Sequence, residues 1–515
     1  MFFLFAFSIS LVTSIILLRT TSYHLSLSSS IITSVFGDWR VVLDTTRIAF
    51  VSLLFLVTSF ILIFSSRYIR SDPLSTQFFI ILGSFAFSII ILILRERFSL
   101  FFIGWDGLGI SRFWLILWYQ NTKGNISGAH TFSTMRVGDL FLILAVIFWT
   151  GFQRANIYIF VRLISIIFIA GAITKRAQVP FVTWLPLAIA APTPVRALVH
   201  SSTLVTAGIY ILIRAIFYQG HIIPYWVSTL GLLTAVVGAI CSVLEFDLKK
   251  AIAYSTLSHC GLIIYGIGIN AWDIVFFHLC VHAMFKRLLF LLAGWSLSTA
   301  SRKQDIRSLG GVNSYSMKTI WTINGLIIAR LPRLGIWYRK HSIIAMQISW
   351  TFIELMLFWI LTALSGVYIW RIVSISLNPA RTASGSVSRL FKVSLLAHLI
   401  LGLIMIFTSP ISFTELIGSL EWCLRIITLI FMPPLVYILI FYTPNWIIRA
   451  QNYIDQVCAL YITIPREVFE TNLFESIKDR SYSFSRVAKS RSLISISYWG
   501  KGFLLTLSLT IVLCI

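Results

Sequence analysis

The amino-acid sequence predicts an all-α polytopic transmembrane helix bundle of about 14–16 spans, counted as apolar stretches of about 17–25 residues. Composition, span-length periodicity and a proline-interrupted core all point to it. Of the 515 residues, 58% are hydrophobic and only 11% are charged, where a soluble domain carries about 25%. Mean hydropathy is +0.90. Lipid offers the backbone no hydrogen bonds, so helices must satisfy their own.

The clearest apolar stretches are 1–18, 47–64, 77–94, 140–151 running on through 156–173, and 229–244. Others follow at 251–269, 273–298, 343–370, 393–415 and 421–443. The first begins at Met1 with no basic stretch before it, which reads as a retained helix and not a signal peptide. Three regions are expected: leading helices in 1–98, a dense core in 99–371, and 372–515 with a Ser/Arg-rich linker, further spans and a final anchor. Within the last region Phe469, Leu473, Ile477, Phe484 and Val487 fall near one helical face among many charges. That pattern predicts a lateral amphipathic helix lying along a surface.

Several functions are disfavoured. The six cysteines are scattered and form no C-x-x-C, whereas an iron–sulfur cluster needs four converging thiolates. Neither a Gly-rich dinucleotide fingerprint nor a Walker motif is present. No redox cofactor is therefore expected in this chain. The formal charge of +23 fits basic loops on one side of a membrane and not nucleic-acid binding.

Ionisable residues inside apolar spans are costly, so each is a functional candidate. Asp106 stands in Gly104-Trp105-Asp106-Gly107. Lys175 closes a hydrophobic run, and Pro180, Pro186, Pro192 and Pro194 follow. Proline removes backbone donors and breaks helices; transporters use such broken helices to place ion sites near the midplane. His200 opens the next span. His278, His282 and Lys286 are four apart. At about 100° per residue they drift only about 40° per step and share one face. Such a stripe suits a water-linked proton path. The blander readings are a polar helix–helix seam and snorkelling near a helix end; a metal pair at His278 and His282 lacks any further evident ligand. Lys340 follows Pro332 in a second proline-interrupted segment. Desolvation helps a lysine release its proton and a nearby carboxylate helps it hold one. Histidine titrates near neutrality unaided.

The stretches Trp184-Leu185-Pro186, Ala191-Pro192-Thr193-Pro194-Val195 and Ala197-Leu198-Val199-His200-Ser201-Ser202-Thr203 carry a resemblance. Asp247-Leu248-Lys249-Lys250, Phe277-His278, His282-Ala283-Met284-Phe285-Lys286 and Gln304-Asp305-Ile306-Arg307 extend it. Over about residues 99–341 the chain resembles the antiporter-like membrane subunits of mitochondrial NADH:ubiquinone oxidoreductase (respiratory complex I), the subunit 5 family in particular. The resemblance implies two inverted five-helix repeats, each with a broken helix bearing a key lysine. It implies a proton path through Asp106, Lys175, His200, Lys286 and Lys340, with Asp139, His278 and His282 as further members. Asp106 would pair with Lys175. The implied location is the mitochondrial inner membrane. The implied partners are the other membrane-arm subunits and the lipid bilayer, with NADH, FMN, iron–sulfur clusters and ubiquinone in partner subunits. A multi-subunit sodium/proton antiporter is the alternative within the same fold, and a membrane scaffold without transport is the alternative outside it.

The sequence departs from the family at Arg112, Arg176, Arg196 and Arg339, where the family usually carries serine. Several mitochondrial codes read AGA and AGG as serine. Translation with the wrong table would create such arginines; genuine ones would mark a diverged copy.

Overall fold

The computed structural model describes residues 23–27, 39–43, 45–70, 72–94, 98–151, 158–199, 208–210, 212, 226–299, 304–306, 315–328, 352–377, 395–396 and 399–400. The first described element is a two-stranded antiparallel hairpin, β1 (Tyr23–Leu27) and β2 (Trp39–Leu43), pairing Tyr23 with Leu43 and Leu27 with Trp39. An all-α reading does not anticipate it. Its strands lie in the short polar interval between apolar stretches, where β-branched and aromatic residues favour extended chain.

After the hairpin the regular elements among the described residues are helices, apart from an isolated antiparallel bridge between Asp247 and Asp305. The helices are α1 (Thr45–Tyr68), α2 (Ser75–Leu94), α3 (Phe98–Ile116), α4 (Thr122–Gly151) and α5 (Tyr158–Thr174). Two short ones follow, α6 (Trp184–Leu187) and α7 (Thr193–Leu198). Then come α8 (Trp226–Leu244), α9 (Leu248–Gly268), α10 (Trp272–Thr299), α11 (Tyr315–Ile328) and α12 (Phe352–Leu377). Among the described residues seven helices are long and apolar enough to cross a membrane. They include the expected stretches from 47, 77, 229, 251 and 273.

One expected span is drawn differently. Residues 140–151 do not continue through 156–173. They are the C-terminal part of the 30-residue α4, and α5 is a separate helix packed on α4. The polar first half of α4, with Lys123, Asn125 and His130, hides the helix from a search for apolar runs. The stretch expected at 343–370 is described from Phe352 onward as α12. The stretches 1–18 and 421–443, nearly all of 393–415, the amphipathic segment and the C-terminal anchor lie outside the described residues.

Small residues set how closely the helices pack. A Cβ on Gly261 of α9 would sit 2.5 Å from the Ala235 amide nitrogen and 2.6 Å from the Gly231 carbonyl oxygen of α8. In lipid the gain comes from such close packing and not from water exclusion between helices. Ile80, Phe87 and Leu140 stand exposed, as expected where the surrounding solvent is acyl chain. A turn at Ile269–Ala271, with Asn270 at φ 64°, reverses the chain between α9 and α10. Asparagine tolerates that left-handed backbone. The reversal lays α9 and α10 antiparallel, which sets the register of the second polar cluster below.

Candidate functional site: two buried polar clusters

The first cluster forms where α5 stops. Lys175 follows the last residue of α5 and Ala177 takes φ 56°, a left-handed turn that ends a helix. The Val179–Pro180 peptide is cis. The chain resumes as α6, a 3-10 turn at Ala188–Ala190 and α7, so the proline-rich segment is a discontinuous helix. Trp184 secures the break: its indole N–H donates to the Thr174 carbonyl at 2.8 Å, satisfying one of the acceptors a helix C-terminus leaves open.

The Lys175 side chain is buried and reaches α3 and α4. Its Nζ donates to the Trp105 carbonyl at 2.9 Å, lies 3.6 Å from the centre of the Trp105 ring, and stands 3.4 Å from Asp139 Oδ1. The Trp105 indole N–H donates to that same Oδ1 at 2.7 Å. Asp139 Oδ1 thus faces two donors, and Trp105 serves both charges. Gly138 makes this possible. A Cβ there would overlap the Thr174 hydroxyl, so only glycine lets α4 bring Asp139 against the end of α5.

Asp106 is placed differently from the pairing that the motif implied. It accepts from Arg136 Nη1 at 3.2 Å, and the same nitrogen donates to Asp139 Oδ2 at 3.3 Å. The direct carboxylate partner of Lys175 is Asp139, and Asp106 joins through the Arg136 bridge. Arg136 stands in Arg136-Val137-Gly138-Asp139, the stretch that matches Asp139 to the family, but no role of its own was legible there.

The second cluster joins α9, α10 and α12. Lys286 Nζ donates to Ser255 Oγ at 2.7 Å and to the Tyr368 hydroxyl at 3.2 Å. The Tyr368 oxygen lies 3.4 Å from His259 Nε2. The His259 ring centre stands 5.0 Å from that of His282 and 5.8 Å from that of His278. All six residues are buried. The shared face expected for His278, His282 and Lys286 is therefore occupied from across the interface. Ser255 opens Ser255–Ser258, a further segment that resembles the family; His259 and Tyr368 carry no motif signal in the sequence, apart from the four-residue spacing of Ser255 and His259 on α9.

Between the clusters, the Thr234 hydroxyl of α8 donates to the side-chain oxygen of Gln178, just past Lys175. His200 and Lys340, expected to extend the path, lie outside the described residues. Arg112, Arg176 and Arg196 are buried. Arg176 has all three guanidinium nitrogens without a hydrogen-bond partner, Arg112 has two and Arg196 has one. Among the described residues no group of three or more His, Cys, Asp or Glu could hold a metal ion.

The family described as NADH:quinone oxidoreductase/Mrp antiporter, TM, matches residues 96–365, just over half of the chain. The chain belongs to this family. Both clusters except Tyr368 fall inside the matched stretch. The NADH-ubiquinone oxidoreductase chain 5 of Locusta migratoria is 34% identical over 370 residues, covering 68% of this chain and 63% of that protein. Its counterpart from Aedes aegypti is 35% identical over 367 residues, covering 68% and 62%. That of Anopheles arabiensis is 35% identical over 336 residues, covering 62% and 85%. The chain thus spans somewhat under two thirds of the length of the first two relatives. Among solved structures, the Mrp complex from Dietzia sp. DQ12-45-1b matches with a TM-score of 0.72 over 99% of this chain and 60% of that chain, at 21% identity. That likeness shows the fold. The antiporter-like transmembrane architecture is therefore shared.

Proposed function

We propose that this chain is a proton-translocating membrane subunit of respiratory complex I in the mitochondrial inner membrane. It sits among the other membrane-arm subunits. NADH-to-ubiquinone electron transfer takes place in partner subunits, which carry NADH, FMN, the iron–sulfur clusters and ubiquinone. The energy of that reaction drives protons through the buried groups described here.

The observation that carries this reading is Lys175, buried at the helix break and ion-paired to Asp139. A lysine out of water is stable as a cation only while its carboxylate is near. Any movement that separates the two releases a proton, and their return takes one up. Asp106 and Arg136 extend the charge array on the other side of Asp139. His200 and Lys340 continue the path in this proposal, along with His278, His282 and Lys286.

The test is proton uptake by liposomes containing the assembled complex, measured beside its ubiquinone reductase rate. Lys175→Ala in an assembled complex should abolish most of the uptake. Wild-type uptake by that variant would reduce the chain to a scaffold.

A further inference from the structure

We propose that His259 and Tyr368 are relay residues that carry a proton between Lys286 and the His278/His282 pair, a connection made by side chains and not by water alone. This deepens the function proposed above and rests on it. The warrant is the register of two antiparallel helices. On α9, Ser255 and His259 are four residues apart and share a face. On α10, His282 and Lys286 are also four apart. Because the helices run in opposite directions, one turn forward on α9 meets one turn back on α10. Ser255 therefore contacts Lys286 and His259 contacts His282. Tyr368, arriving from α12, closes the gap diagonally: its hydroxyl touches Lys286 Nζ on one side and His259 Nε2 on the other.

The chemistry balances without any further reagent. An N–H bond of Lys286 breaks as an O–H bond to Tyr368 forms. The original Tyr368 O–H breaks as His259 Nε2–H forms. The Nδ1–H bond of His259 then breaks as an O–H bond on one bridging water forms, and another O–H bond of that water breaks as an N–H bond on His282 forms; the two rings, 5.0 Å apart between centres, share no direct hydrogen bond. One proton leaves Lys286 and one arrives at His282. Run backwards, the same steps recharge the lysine. A hydroxyl that both donates and accepts, followed by a ring with two nitrogens, is the minimal set for this transfer. A shared metal is a poorer reading. The rings meet partly face to face, with interplanar angles of 37° for His259–His282 and 21° for His259–His278, so their nitrogens do not converge.

The titratable groups facing His259 are His278, His282 and Lys286 from α10 and Tyr368 from α12. The helix packed along α9 on the other side, α8, contains no Asp, Glu, His, Lys or Arg. Cys260 beside it on α9 is under the electrostatic influence of Arg176 and Lys286.

The experiment compares wild type, His259→Gln, Tyr368→Phe and Lys286→Met in the assembled complex in liposomes. Glutamine keeps a polar side chain at 259 but holds no proton. Proton uptake by H259Q and by Y368F should each fall about a hundredfold, the lower end of what a positioned proton-transfer group contributes. The pH profile of uptake in H259Q should also change between about pH 5 and 8, the range in which an imidazole titrates, because one of the three imidazoles of the cluster is gone. A purely structural role for His259 would leave that profile unchanged. Wild-type uptake and profile in H259Q, with uptake lost in K286M, would overturn the relay and leave the proposed function standing. Wild-type uptake in K286M would overturn the proposed function itself. Should H259Q fail to assemble, Y368F, which removes a single hydroxyl, decides alone: undiminished uptake overturns the relay.

Discussion

Asp139 accepts from Trp105 and lies 3.4 Å from Lys175, so one carboxylate on α4 is the direct counter-charge of the lysine at the end of α5. Asp106 forms its ion pair with Arg136, which bridges it to Asp139.

The two aspartates should therefore differ in their coupling to Lys175. Removing one partner of a buried ion pair costs about 3–5 kcal/mol. Asp139→Asn should lower the thermal stability of the subunit in its complex by that order, and it should lose proton uptake almost as fully as K175A. Asp106→Asn should cost clearly less stability. A double-mutant cycle with K175A checks it: coupling to Asp106 as large as coupling to Asp139 would reverse the assignment.

Gly138→Ala tests the packing behind that pair. The added methyl meets the Thr174 hydroxyl, and overpacking of this kind costs about 1–3 kcal/mol. Proton uptake should fall with stability, because α4 must back away and take Asp139 with it. Calorimetry and uptake on the same preparation would separate this from a purely local strain.

Trp184→Phe removes the donor to the Thr174 carbonyl at the helix break. Leaving a buried acceptor unpaired costs about 1–3 kcal/mol. Hydrogen exchange around residues 172–178 should quicken, while α8 and α9 keep their protection.

Positions 112, 176 and 196 should prove to be serine in the mature chain. A buried guanidinium with unpaired nitrogens is among the costliest arrangements in a membrane interior. The buried serines here satisfy themselves by bonding back to a carbonyl of their own helix, as Ser255 does to Ile252 and Ser258 to Ser255. Peptide mass spectrometry across position 196 is the direct check, and arginine found there would refute the expectation.

Much of the first cluster was legible as residue types. Asp106, Lys175 and the four prolines stand out because charges and helix breakers are rare in apolar sequence. Their pairing was not legible, because Arg136 and Asp139 sit on a helix whose polar first half conceals it. Likewise His278, His282 and Lys286 announce one face of α10, but the opposing Ser255 and His259 are ordinary residues until the register is known. Tyr368 lies 82 residues from Lys286, and no spacing rule spans that interval.

By itself the sequence determined the solvent, the helical class, the broken segment and the charges worth explaining. These follow from local cost: each apolar span, proline or buried ion has a price in lipid that its neighbours in sequence already reveal. Only the tertiary structure decided which charge answers which. That choice depends on how closely backbones approach at Gly138 and Gly261 and on the antiparallel register of α9 and α10, distances set by contacts between residues far apart in the chain.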